Sequence, residues 1–61
     1  MKEFAAEVLT IISKNVALER EICELFALCK DEIEEGGSEE HEIELCRSSI
    51  QELIDEKNEA N

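Results

Sequence analysis

The sequence predicts an all-α protein, and three observations predict it. A row of residues at alternating spacings of four and three runs from Phe4 through Val8, Ile11, Asn15, Leu18, Ile22 and Leu25 to Cys29, polar only at Asn15. That is the spacing of a heptad seam on one face of a helix. Among 61 residues there is no proline, and the two glycines stand together at Gly36 and Gly37. The composition is rich in Glu, Leu, Ile, Ala and Lys, which favour helix, and no alternating Val/Ile/Thr/Tyr stretch competes as a strand.

The first element is a long helix over about residues 2–35, because the heptad phase runs unbroken and nothing before Gly36 stops it. Gly36 can adopt the left-handed conformation that closes a helix C-terminus. Ser38 is a good N-cap for the second element, a shorter helix over about residues 38–57. Glu39, Glu40 and Glu42 then place negative charge in its first turn, where the helix dipole favours it. The position three after Ser38 is His41 instead of Glu, so the reciprocal bond of a capping box is missing. Ile43, Cys46, Ile50 and Leu53 form the second apolar row, widened by Ile54. The two glycines are a short turn, so the helices lie antiparallel as a helical hairpin. The whole chain, residues 1–61, is a single helical domain, with residues 58–61 a frayed tail.

Length makes the hairpin incomplete. At 1.5 Å per residue the first helix is about 50 Å long and the second about 30 Å. The second helix reaches back only to Asn15 or Val16, and Phe4, Val8, Leu9, Ile11 and Ile12 lack cover. Each larger side chain left wet forfeits about 1.5–3 kcal/mol. A homodimer packing two hairpins into a four-helix arrangement solves this, with Phe4, Val8, Ile11, Ile12, Asn15, Leu18, Ile22 and Leu25 at the oligomer interface. The alternative is a three-helix bundle, in which the chain breaks near residues 13–16 and folds back on itself. Asn15 pairs with its symmetry mate in the first arrangement and lies at a helix bend in the second.

Charge narrows the function. Seventeen acids against six Lys and Arg give a net charge of −11. The excess is even along the chain: residues 1–35 carry nine acids and four bases, residues 36–61 eight and two. Binding to a nucleic acid backbone needs Lys and Arg to displace counterions, and an anionic membrane repels the same charge. Direct nucleic acid and membrane binding are therefore not expected. No apolar run approaches the ~20 residues of a membrane span. The opening Met-Lys-Glu-Phe lacks the apolar stretch of a signal peptide, and a cytoplasmic location is expected. Cys23, Cys29 and Cys46 read as free thiols in a reducing compartment.

Chemistry-bearing patterns are sparse. His41 lies among Glu39, Glu40, Glu42 and Glu44 on the side of the second helix away from its seam, with no neighbouring nucleophile. Cys23 and Cys29 are six residues apart, about 120° around a helix from being aligned, which disfavours a zinc site. The acids flanking the turn lack the alternating ligands of an EF-hand. No phosphate-binding loop, dinucleotide fingerprint or Ser-His-Asp arrangement is present. The sequence thus predicts no enzyme, no cofactor and no metal.

One resemblance bears on function. From Leu18 to Lys57 a charged helix, a glycine turn and an Ile-Glu-Leu run lead into Gln51-Glu52-Leu53-Ile54-Asp55-Glu56. This stretch resembles the short helical hairpins of the aspartyl-phosphate phosphatases of sporulating bacteria, which implies a regulator acting on a response regulator. The family's Ser-Gln-Glu-Leu-Asp motif falls near residues 47–51, where this chain has Arg47-Ser48-Ser49-Ile50-Gln51. The acid of the motif is missing in that register.

The expectation is therefore a small acidic helical protein-interaction module, a modulator or inhibitor of a larger protein partner with a basic surface. The alternative is a nucleic-acid mimic whose carboxylates occupy a basic cleft, with the phosphatase-like regulator third. The expected partner surface is acidic: Glu7, Glu21, Glu24 and Asp31 on the first helix, Glu44, Glu52 and Asp55 on the second.

Overall fold

Helix α1 spans Lys2–Lys14, α2 spans Glu19–Glu34 and α3 spans Glu39–Ala60, with a 3-10 turn at Val16–Leu18 between the first two. The computed structural model describes residues 1–60, and of Ala60 the backbone alone. The all-α expectation holds throughout those residues. The single helix over residues 2–35 does not form, and this corrects the boundaries given above: the chain breaks at Asn15, within the 13–16 window of the three-helix alternative.

Local chemistry explains the break. The Ser13 hydroxyl donates to the Thr10 carbonyl at 2.7 Å, and Asn15 Nδ2 donates to the Ile11 carbonyl at 2.8 Å. Side chains thus take up carbonyls in the last turn of α1. Asn15 leaves the helical region at φ −137°, ψ 55°. Its N–H donates to Ile12 at 3.0 Å, and its carbonyl accepts from the Leu18 N–H at 2.9 Å. The break forgoes a few helical hydrogen bonds worth about 0.5–1.5 kcal/mol each. It gains the burial of Phe4 and Val8 and part of Ile11 and Ile12, at about 1.5–3 kcal/mol for each larger side chain fully buried. Burial wins.

The second turn follows the sequence closely. Gly36 has a positive φ of 108°. The Gly37 N–H donates to Glu32 at 2.9 Å and the Gly36 N–H to Ile33 at 3.1 Å. That pair of bonds is a Schellman motif, which satisfies two carbonyls at the end of α2. Ser38 precedes α3, its carbonyl accepting from the Glu42 N–H at 2.9 Å. Its hydroxyl makes only a long 3.5 Å contact with the His41 N–H. Helix α3 continues past Lys57 through Asn58 and Glu59, which were expected to fray, to Ala60. The tail's last residue, Asn61, lies outside the described residues.

All three helices contribute to one core. Phe4 and Val8 of α1, Leu18 of the turn, Ile22 and Cys29 of α2, and Cys46 and Ile50 of α3 are buried together. The Phe4 and Phe26 rings meet at 5.8 Å between centroids, tilted by 48°. The Arg47 guanidinium lies 5.5 Å from the Phe4 ring centroid and donates two hydrogen bonds to Glu7, at 2.8 and 3.1 Å. The Met1 amino group pairs with Glu39 at 2.6 Å. Residues early in α1 thus meet residues early in α3, so these two helices run parallel. Cys46 of α3 reaches the Leu25 carbonyl of α2 across the Gly-Gly turn, so α2 and α3 run antiparallel.

Candidate protein-interaction surface

The residues expected at an oligomer interface lie inside the single chain or against its core. Phe4, Val8, Leu18 and Ile22 are buried, and Ile11, Ile12 and Leu25 pack against them partly exposed. The folded-back chain covers Phe4 and Val8 and part of Ile11 and Ile12, whereas Leu9, also in need of cover, stays 67% exposed. Asn15 is half-buried and caps α1 with its own amide.

The seven acids expected to form the partner surface do not converge. Glu24 is two residues from buried Ile22, and Asp31 two from buried Cys29, about 200° around α2 in each case. They face outward from the back of α2. Glu44 and Glu52 stand likewise two residues from Cys46 and Ile50 and face outward from α3, as does Asp55, which accepts a 3.0 Å bond from Gln51. Glu21 is exposed on a flank of α2. Glu7 is engaged elsewhere, since the Arg47 guanidinium holds its carboxyl below the usual carboxylate range. Arg47 is raised in turn by the same bonds.

The thiols divide as the helix faces require. Cys23 is exposed, whereas Cys29 and Cys46 are buried beside each other between α2 and α3. Burial pushes the Cys29 thiol up, and burial with the neighbouring Cys29 pushes Cys46 up to about 11. Both are therefore protonated and weakly nucleophilic at neutral pH. His41 is exposed. Among the described residues no group of three or more His, Cys, Asp and Glu is placed to hold a metal ion. No helix among them is long and apolar enough to cross a membrane.

The feature missed in the sequence is a groove between α2 and α3. Leu25, Leu28 and Glu32 line one wall and Glu42, Leu45 and Ser49 the other, with Cys29 and Cys46 at the floor. Leu28 is 60% exposed and Leu45 51%. Each wall is a row at i, i+3 and i+7, which a helix presents along one side. The α2 row lies to one side of buried Ile22 and the Phe26 that meets α1 lies to the other. Ser49 and Leu45 of α3 likewise lie opposite Arg47, which reaches α1. The groove is thus on the face of the α2–α3 pair away from α1. Sequence periodicity carried a signal for it, since Leu28 and Leu45 fall just outside the two seams, but their adjacency exists only in the fold.

A larger hollow of about 630 Å³ runs along the 3-10 turn and α2, lined by Val16, Ala17, Arg20, Cys23 and Ala27 among others. It follows a single helix face and has no opposing wall from another element. No protein family, curated protein or solved structure matches the chain. Fold and surface together define an acidic three-helix protein with an apolar groove on the face opposite its first helix.

Proposed function

We propose that this protein is a small acidic interaction module that modulates or inhibits a larger protein partner by binding it. The observation that carries this reading is uncompensated surface charge. Seventeen acids face six Lys and Arg in the chain, and the ion pairs among the described residues are Glu7–Arg47 and the Met1 amino group with Glu39. Most carboxylates are thus exposed and unpaired with a base of the same chain, which favours encounter with a basic protein surface.

Affinity capture on the tagged protein, followed by identification of what it retains and titration of the purified pair, tests the reading. A stoichiometric protein partner that a short DNA duplex or RNA does not displace is the expected result. Displacement by either oligonucleotide would instead mark a mimic seated in a nucleic-acid cleft. If no protein is retained, the interaction-module reading fails.

A further inference from the structure

We infer that the groove between α2 and α3 is a docking site for a basic amphipathic helix of a partner protein. This deepens the reading above and rests on it. The shape follows from the two walls. Antiparallel helices presenting Leu25 and Leu28 against Leu45 and Ser49 leave a channel of about 150 Å³, shallow and open along its length. An apolar stripe on a third helix fits such a channel, with anchors at i, i+3 or i+4 and i+7. Helix α1 already occupies the other face of the pair, so an incoming helix takes the fourth position of a four-helix bundle.

Charge selects the occupant. Glu32 and Glu42 rim the groove, one from each wall. Three of the four bases of α2 and α3 stand on other faces, and the fourth, Lys57, lies in the last turn of α3, beyond the groove's last lining residue Ser49. Arg47 is turned to Glu7 and Phe4, Lys30 shares a hollow with Phe26 and Ala5, and Arg20 lines the outer face of α2. A second copy of this chain would bring matching acidic rims together, each on a chain of net charge −11. A helix with Leu or Ile anchors flanked by Lys and Arg satisfies both the channel and its rim.

The test uses two synthetic helical peptides of about 18 residues, about 27 Å when helical. Both carry the same Leu stripe, flanked by Lys and Arg in one and by Glu in the other. Titrated into the isotopically labelled full chain, the basic peptide should bind one-to-one and shift the amide signals of Leu25, Leu28, Leu45 and Ser49, leaving Arg20 and Cys23 unmoved. The Leu28→Glu/Leu45→Glu double variant should weaken binding about tenfold or more, a change of about 1.4 kcal/mol or more. Its helicity and melting should be unchanged, because both side chains are already more than half exposed. Glu32→Lys/Glu42→Lys should reverse the preference between the two peptides.

The assignment is overturned by shifts on another face, by equal binding of the Glu-flanked peptide, or by a free dimer that the double leucine variant dissociates. A captured partner that still binds the double variant would also remove the groove while leaving the interaction module standing. Failure to capture any partner removes the module itself.

Discussion

The chemistry of single residues is clearest at the two buried thiols. Cys46 has an ordinary thiol value of 9.0 when unfolded and about 11 in the fold, raised by burial and by Cys29 beside it. Below pH 9 both states hold the proton and the pair contributes no pH dependence. Between pH 9 and about 11 the unfolded chain releases protons that the folded chain keeps, so stability must fall as pH rises. Cys29 is raised in the same direction and adds to the slope. Urea midpoints measured across this window should decline for the wild type and flatten for Cys46→Ala, although the variant is less stable at pH 7 through the cavity it leaves. A matching alkaline decline in both would mean that other groups carry it. Glu7 acts at the opposite end of the scale. Its carboxyl is held low by Arg47, so its contribution is present above the ordinary Glu value and lost as pH falls through the lowered one. The pair is well exposed, and the effect is correspondingly small.

Among the elements, the turn between α2 and α3 gives the sharpest expectation. Gly36 has open space where a Cβ would sit, so its constraint is purely the positive φ of 108°. Gly37 is constrained differently, since a Cβ there would lie 2.8 Å from the Glu32 carbonyl oxygen that its own N–H bonds. Gly36→Ala should cost about 1–2 kcal/mol through backbone strain. Each kcal/mol lost should lower the melting temperature by about 4–8 °C in a domain of this size. Gly36→Asn should recover part of the loss, because Asn tolerates left-handed backbone, whereas Gly37→Asn should recover nothing relative to Gly37→Ala. Thermal melts of the four variants check this, and equal losses at Gly36 for Ala and Asn would show that strain is not the cause. The turn was legible in the sequence because its signal is local: two glycines, a Ser cap and three first-turn acids all act within a few residues.

On the scale of the whole molecule, long-range contacts decided what the sequence left open. The heptad phase from Phe4 to Cys29 is real, and five of its members are buried in α1, the turn and α2. Yet a continuous phase fits a straight helix and a folded-back one equally well. The choice rests on whether Phe4 finds Phe26 and Arg47, and no local pattern encodes that meeting. Asn15 carried the local hint, as a polar residue on an apolar row, but its cap geometry appears only once the chain has turned. The core places of Ile22, Cys29, Cys46 and Ile50 followed from helix phase alone. The acidic surface was legible as charge and illegible as shape. Its seven expected residues face several directions, while the groove depends on the adjacency of Leu28 and Leu45 that no single helix reveals.

The break at Asn15 has a consequence for exchange between molecules. Because the apolar phase passes through it intact, straightening residues 14–18 would turn α1 and α2 into one rod with an uninterrupted seam. Helix α1 would then leave its own core and reach that of a second chain, rebuilding there the same contacts of Phe4 and Val8. A domain-swapped dimer and the closed monomer would differ only in the hinge and in the entropy of association. Asn15 favours the bent form, since its amide occupies the Ile11 carbonyl that a continuing helix would give to a backbone N–H. Asn15→Leu removes that bond, raises helix propensity and completes the apolar row. Light scattering on this variant should give twice the wild-type mass with higher helicity, and a variant that keeps the wild-type mass would show that more than one side chain holds the hinge shut.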